Sequence, residues 1–185
     1  MLRICGYAIV SLDGMIADAG GRMGDILTVE ADQIFYHASL ARARLVVHGR
    51  HSAEGGPAAA RRRRVIVTTR VAALAPSETN PLAVLWNPLG LAFGEVVRAL
   101  AVDDGEIAVI GGTDVFELFL AIGYDAFYLS RSTRGCLPGG RPVFRGVPER
   151  SPEDHLAGAG LRLRDERRLA ADLTLATWER GAVRD

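Results

Sequence analysis

The sequence of 185 residues contains only two cysteines, Cys5 and Cys136, which lie far apart and outside any Cys-x-x-Cys pair. So few cysteines argue against a disulfide framework, and they are typical of a protein from a reducing compartment. The four histidines are scattered without the spacing of metal ligands, so we expect no metal centre. These absences together predict a cytoplasmic protein.

An excess of charge of either sign is also missing, since 22 basic and 22 acidic residues give a formal net charge of zero. A balanced charge argues against nucleic acid as a partner, and the arginine run 61–64 is interpreted as a solvated patch because no wider basic field accompanies it. No apolar run approaches the roughly 20 residues of a membrane span. The apolar N-terminal segment is interrupted by Asp13 and Gly14, and we expect no membrane partner.

Hydrophobic residues are plentiful at 49%, which is enough for a buried core. The sequence shows no internal repeat and no linker, so one domain is predicted over residues 1–185. Short apolar or branched runs that are typical of strands occur at 2–10, 44–49, 65–69, 82–86, 106–110 and 124–133. Two alternating segments around 170–172 predict a closing hairpin.

Helical spacing appears between these runs. Beginning at Thr28 as the predicted N-cap, one helical face is predicted to carry Ile34, Ala38, Ala41 and Leu45. Further helices are predicted within 93–105 and from 113 to 122. Strands and helices alternate through two-thirds of the chain and strands alone finish it, which predicts an α/β sandwich with a largely parallel sheet and antiparallel strands at one edge.

Three of the predicted strands end in groups that can bind anions. The stretch "EIAVIGGTDVF" (106–116) places Gly111 and Gly112 between a strand and a helix, where bare backbone N–H groups can meet a phosphate. The other two strand ends carry polar groups, namely Arg50, His51 and Ser52 in one and Thr68, Thr69 and Arg70 in the other. Each feature alone is equally compatible with a tight turn or a solvated side chain. Because ligands bind beyond the carboxyl ends of parallel strands, the three together predict a nucleotide site.

Common motifs do not explain this site. The first strand is not followed by G-x-G-x-x-G, and the sequence has no P-loop and no G-x-S-x-G. Five segments nevertheless occur in an order that resembles the dihydrofolate reductase superfamily, namely "YAIVSLDGMIAD", "VVHGRHSAE", "VIVTTR", "IAVIGGTDVF" and "CLPGGRPVF". They lie within residues 2–144, and the last resembles the Gly-x-Pro-x-Phe segment of the branch that includes the reductase domain of bacterial riboflavin biosynthesis.

The resemblance implies a three-layer dihydrofolate reductase-like sandwich, the cofactor NADPH, a small-molecule substrate and a homodimer. The nicotinamide carboxamide would be held near Ala8, Ile9 and Ile16. The 2′-phosphate, ribose and adenine would be held by Gly49, Arg50, His51, Ser52, Thr68, Thr69 and Arg70. The pyrophosphate and one side of the nicotinamide would be held by Gly111, Gly112, Thr113, Asp114, Val115 and Phe116.

Reduction of a C=N bond needs a proton donor, and in folate reductases this acid lies on the first helix. Asp32 occupies about that place, with Glu30 as the alternative, although the helix dipole also favours acids in a first turn. The Pro-Trp pair and the Phe-Pro segment of folate reductases are missing, which argues against folate. The resemblance therefore implies a pyrimidine nucleotide or a related heterocyclic or imine substrate, with dihydrofolate reduction and non-catalytic nucleotide binding as alternatives.

Overall fold

The computed structural model describes residues 1–52, 55 and 58–181. The strands are β1 (Leu2–Val10), β2 (Met15–Ala17), β3 (Leu45–Gly49), β4 (Arg64–Val67), β5 (Leu74–Pro76), β6 (Ala83–Trp86), β7 (Gly105–Val109), β8 (Ala126–Ser132), β9 (Arg141–Pro142), β10 (Leu161–Ala170) and β11 (Leu173–Arg180). The helices are α1 (Glu30–Arg42), α2 (Phe93–Ala99), α3 (Thr113–Ile122) and α4 (Pro152–Gly158), and Ala59–Arg61 form a 3-10 turn. Across these described residues, no helix has the length and apolar character needed to cross a membrane.

Nine strands form one sheet in the order β10-β11-β8-β1-β7-β3-β4-β6-β5. The six strands from β8 to β6 in this order run parallel, and the hairpin β10–β11 joins β8 antiparallel. Central strands such as β3 are apolar on both faces, with Leu45, Val46 and Val47 all buried, as parallel strands between two helical layers require. The predicted α/β sandwich with a largely parallel sheet and an antiparallel hairpin at one edge is confirmed. The short strand β5, which pairs antiparallel with β6 at the other edge, was not predicted.

Helices cover both faces of this sheet. On one face, α2 and α3 contribute Phe93 and Phe119, whose rings pack edge to face with centroids 4.8 Å apart, beside Trp86 of β6. On the other face, Leu40 of α1 packs against Cys5 and Tyr7 of β1. This arrangement places the carboxyl ends of six parallel strands along one open edge.

The prediction for the first helix was wrong in its start and in its buried face. The helix begins at Glu30, and its N-cap is Val29, with no side-chain capping bond; the Thr28 hydroxyl donates instead to the Gly24 carbonyl at 3.1 Å. Ile34 is 66% exposed, whereas Leu40 is fully buried. Ala38 and Ala41 are also exposed and Leu45 belongs to β3. The larger side chains of Phe35, Tyr36 and Leu40 bury more apolar area against the sheet than the alanines could, and they decide which face docks.

Several short elements were not predicted. The strands β2 and β9 pair antiparallel but contain three and two residues, too few to show a period of two. The helix α4 carries a cap that the sequence does display: Ser151 accepts the backbone N–H of Asp154 at 3.1 Å, and Pro152 occupies the first turn.

Candidate active site

A cleft of about 1340 Å³ runs along the carboxyl edge of the parallel strands. It brings together most of the residues that the sequence predicted for a cofactor, namely Ala8, Ile9, Ile16, Gly49, Arg50, His51, Ser52, Thr68, Thr69, Gly112, Thr113, Asp114, Val115 and Phe116. Asp32 lines the same cleft. Three predicted residues lie outside its walls: exposed Glu30 at the start of α1, exposed Arg70, and buried Gly111. Residues 53 and 54, which end the second predicted segment, lie outside the described residues.

The glycine pair connects β7 to α3 and touches the end of β3. The Gly111 carbonyl accepts the N–H of Gly49 at 2.7 Å, and the peptide bond between Gly111 and Gly112 is cis. Gly111 has a φ of +97°, and a side chain there would strike the Phe116 ring, so this position requires glycine. Gly111 is therefore the buried residue of the turn, bonded to β3, while Gly112 lines the cleft.

Gly112 keeps open the space in front of the α3 N-terminus. A Cβ atom built on it would lie 3.1 Å from the Ser52 Oγ and 3.9 Å from the Ile16 Cδ1. The carbonyl of Gly112 accepts the N–H groups of Val115 and Phe116, at 3.0 and 2.9 Å, which starts α3. The first N–H groups of a helix have no partner within the helix, so an anion can approach them here without meeting a side chain.

Polar groups at the ends of β3 and β4 line the cleft beyond this space. Arg50 and His51 are exposed, Ser52 is half-buried, and Thr68 is buried with its Oγ1 accepting the Arg70 N–H at 3.2 Å. Guanidinium, imidazole and hydroxyl groups fit phosphate oxygens, so the residues present suit a phosphorylated cofactor. Asp114 would repel such a group, but its carboxylate pairs with Arg145 at 2.5 Å, and this pairing raises the pKa of Arg145.

Two parts of this wall were missed by the sequence analysis. Asn87, Pro88 and Leu89 follow β6, and Leu89 is 91% exposed, an apolar surface beside the polar strand ends. The position of "NPLG" directly after an apolar strand could have indicated it, since neighbouring parallel strands end at one edge. Arg141 of β9 also lines the cleft, and its guanidinium lies against Gly21. Nothing in the spacing of the sequence indicated Arg141.

The other end of the cleft holds Asp32. This carboxyl group is largely enclosed, and burial raises its pKa above the ordinary value for aspartate, although a hydrogen bond with Ser130 and the charge of His37 act in the opposite direction. Tyr36, also on α1, is a further titratable neighbour that interacts with Asp32. A raised pKa keeps the Asp32 proton bound at a higher pH, as a proton donor requires.

Aromatic rings form the wall beside Asp32. Tyr7 and Tyr128 occupy paired positions on β1 and β8 and stack with centroids 4.9 Å apart, and Phe35 meets Tyr128 edge to face at 5.6 Å. The Tyr7 hydroxyl donates to Glu106 at 2.6 Å, and burial raises the pKa of Tyr7 far above its usual range. Tyr7 is only 4% exposed, so the half-buried rings of Phe35 and Tyr128 supply most of the flat apolar surface, which fits a planar ring. The sequence analysis missed them because aromatic residues on strands and helices are usually core residues.

No protein-family model matches the chain, and no curated protein matches it in sequence. Solved structures do match it. A protein attributed to riboflavin biosynthesis from Shewanella sp. PV-4 is 17% identical with a TM-score of 0.70, over 97% of this chain and 99% of that one. Dihydrofolate reductase from Enterococcus faecalis, complexed with NADP(H) and RAB-propyl, is 13% identical with a TM-score of 0.65, over 96% of each chain.

The chain has the dihydrofolate reductase-like fold. A third structure with this fold, a diaminohydroxyphosphoribosylaminopyrimidine deaminase/5-amino-6-(5-phosphoribosylamino)uracil reductase from Thermotoga maritima, is 18% identical with a TM-score of 0.66. The match covers 97% of this chain but only 56% of the Thermotoga chain. The resemblance inferred from five sequence segments is thus confirmed at the level of the fold.

Proposed function

We propose that this dihydrofolate reductase-like protein is an NADPH-dependent reductase that acts on a pyrimidine nucleotide or a related heterocyclic or imine substrate. The observation that supports the proposal is the division of one cleft into two chemically different ends. Hydrogen-bond donors that can bind phosphate and a glycine turn without side chains lie at one end. An enclosed carboxyl group with aromatic walls lies at the other. A reductase that binds a phosphorylated cofactor beside a flat substrate needs both.

NADPH fits the first end better than NADH does. The adenosine-side loops carry Arg50, His51 and Ser52, and a guanidinium group is well suited to the additional 2′-phosphate. Gly112 and the start of α3 would receive the pyrophosphate, and Ala8, Ile9 and Ile16 would contact the nicotinamide. The NADP(H) complex of the Enterococcus reductase, which shares the fold, supports this assignment.

NADPH, when bound, supplies a hydride to the carbon atom of a C=N bond. The nitrogen atom of that bond must gain a proton, and Asp32 is placed to hold one at the substrate end of the cleft. Ser130 lines the same cleft and favours the charged form of the Asp32 carboxyl group, and the rings of Tyr7, Phe35 and Tyr128 also line it. A positioned acid of this kind contributes roughly 10²–10⁴-fold to a rate.

The substrate class rests on what the sequence keeps and what it lacks. The segment ending in Phe144 resembles the riboflavin-type branch, while the Pro-Trp and Phe-Pro features of folate reductases are missing. The two matched proteins connected by name with riboflavin biosynthesis or uracil reduction support the same class. A homodimer and a cytoplasmic location stay predictions, and sedimentation analysis would test the first.

The proposal is tested in two steps with the purified chain. Calorimetric titration with NADPH and NADH should show tighter binding of NADPH, and loss of NADPH absorbance should then follow addition of a ribosylaminouracil phosphate. Dihydrofolate is the second substrate to test, and turnover with it instead would assign the protein to the folate reductases. Binding without turnover of any pyrimidine or pterin would favour a non-catalytic nucleotide-binding protein, and no binding of either cofactor would overturn the proposal.

A further inference from the structure

Arg134 follows the end of β8 and joins three separate segments of the chain. Its Nε donates to the Asp172 carboxylate at 2.5 Å, and its Nη1 donates to the backbone carbonyls of Thr28 and Asp25, at 2.9 and 3.1 Å. Asp172 lies in the turn between β10 and β11, and residues 25–28 lead directly into α1. One guanidinium group therefore connects residues 25–28, which precede α1, to the end of β8 and to the turn between β10 and β11.

The other hydrogen bonds shown for the segment before α1 are local, since the Thr28 hydroxyl and the Leu27 N–H both donate to the Gly24 carbonyl, at 3.1 and 3.0 Å. The N-cap of α1, Val29, makes no side-chain capping bond, and the hydrogen bond from the Gln33 N–H to the Val29 carbonyl, 3.0 Å long, begins the helix. Leu27 and Val29 are buried against Leu173 of β11. Apolar packing holds this segment against the hairpin, but it is non-directional, whereas the Arg134 bonds fix the direction of two carbonyls.

Asp32 and Ser130, which both line the cleft, lie on the two elements that Arg134 connects, α1 and β8. Ser130 lies on β8, four residues before Arg134, and is paired with Leu175 of β11. Asp32 lies in the first turn of α1, four residues after Thr28. The position of Asp32 relative to Ser130 thus depends on how α1 is set against β8, and Arg134 connects these two elements.

We propose that Arg134 is a positioning residue that holds the start of α1 against β8 and thereby sets the geometry of Asp32 and Ser130. Asp172 keeps the guanidinium in place: its carboxylate accepts from Arg134, which lowers the pKa of Asp172, and its carbonyl accepts the Thr133 N–H at 2.9 Å. Leu27 and Thr28, which line the cleft, are held by the same contact. The effect of Arg134 on catalysis rests on the proposed function, whereas its hydrogen bonds to residues 25, 28 and 172 do not.

The proposal predicts that Arg134 affects Asp32 without affecting the cofactor end. In Arg134→Gln the carboxyl group of Asp32 becomes less enclosed, so its pKa falls towards the ordinary aspartate value. We expect kcat/KM to fall by about 10-fold to 100-fold, because a small misplacement of a catalytic group has effects of that size. Affinity for NADPH should stay within about 2-fold of the original, and Arg134→Lys should restore part of the loss.

The decisive measurement is the titration of the Asp32 carboxyl group by carbon NMR, with its signal assigned from the Asp32→Asn variant. The titration is compared among wild type, Arg134→Gln, Arg134→Lys and the surface control Arg98→Gln. An unchanged Asp32 titration in Arg134→Gln, with kcat/KM no lower than in Arg98→Gln, would overturn the proposal. If Arg134→Gln does not fold, Asp172→Asn replaces it and should shift the Asp32 pKa in the same direction by less; no shift there would also overturn it. Failure of the wild type to bind NADPH would refute the proposed function, while the NMR titration would still decide the role of Arg134.

Discussion

Gly112 and Ser52 face each other across the space in front of the α3 N-terminus, so closely that a Cβ atom on Gly112 would lie 3.1 Å from the Ser52 Oγ. The two residues come from different parts of the chain, Gly112 from the turn between β7 and α3 and Ser52 from the residues just after β3. The bond from the Gly49 N–H to the Gly111 carbonyl, 2.7 Å long, holds these parts together. Any side chain at position 112 therefore enters the space through which an anion would reach the start of α3.

Substitution of Gly112 by valine should damage cofactor binding more than folding. Overpacking of a tight site costs about 1–3 kcal/mol, so we expect the Kd for NADPH to rise by about 5-fold to 100-fold. Gly112→Ala should show a smaller effect in the same direction. The matched control is Gly94→Ala on α2, where an added Cβ atom meets nothing within 4 Å. Calorimetric titration measures the effect on NADPH binding, and thermal unfolding measures the effect on stability. Normal NADPH binding by Gly112→Val would show that the glycine pair serves only as a turn between β7 and α3.

Arg50 should determine the preference for NADPH over NADH. It is an exposed cleft residue of the predicted 2′-phosphate site, and hydrogen bonds to charged groups contribute about 1.5–3 kcal/mol. Replacement by glutamine should weaken NADPH binding by about 10-fold to 100-fold and leave NADH binding nearly unchanged. The ratio of the two dissociation constants in Arg50→Gln, measured beside Arg98→Gln, tests this. Equal weakening of both cofactors would place Arg50 elsewhere in the site.

The sequence predicted the central part of this fold well because that part follows local rules. Buried parallel strands form continuous apolar runs, and a glycine turn before a helix is visible in "EIAVIGGTDVF", so α3 was predicted with the bounds that the structure shows. The end of the cleft that is proposed for the cofactor consists of such strand ends. Most of its residues could therefore be gathered from the sequence before their distances were known.

The end of the cleft that is proposed for the substrate could not be predicted in this way because tertiary contacts create it. Tyr7 and Tyr128 are 121 positions apart and meet only through the pairing of β1 with β8. Ser130 comes into the same cleft as Asp32 only through the packing of α1 on β8, where Phe35 meets Tyr128, and Arg134 is bonded to Asp172 near the other end of the chain. No period or motif in a single sequence records contacts over such separations.

The buried face of α1 supplies a stability test. Leu40 is fully buried, whereas Ile34, which the helical spacing had assigned to the core, is 66% exposed. Leu40→Ala should therefore lower the free energy of unfolding by about 2–5 kcal/mol, and Ile34→Ala should change it by less than about 0.5 kcal/mol. Urea unfolding at equilibrium measures both variants. A larger loss from Ile34→Ala would mean that this face of α1 is covered in solution.

Asp32 predicts a particular pH dependence of both activity and stability. Burial raises its pKa in the folded protein, so the folded state holds the proton more tightly than the unfolded chain does. Its contribution to stability is therefore fully present below the pKa of an ordinary aspartate and is lost as the pH rises through the raised value. Turnover should fall over the same upper range, because the donor loses its proton there.

Asp32→Asn removes this titration and keeps the shape of the side chain. We expect the free energy of unfolding of the variant to lack the decline that the wild type shows between the ordinary and the raised aspartate pKa. Its turnover should be lower by about 10²–10⁴-fold, the usual contribution of a general acid, while NADPH binding persists. Urea unfolding and initial rates measured across this pH range test both expectations. Parallel stability profiles of wild type and Asp32→Asn, with turnover retained, would assign the proton donor to another group.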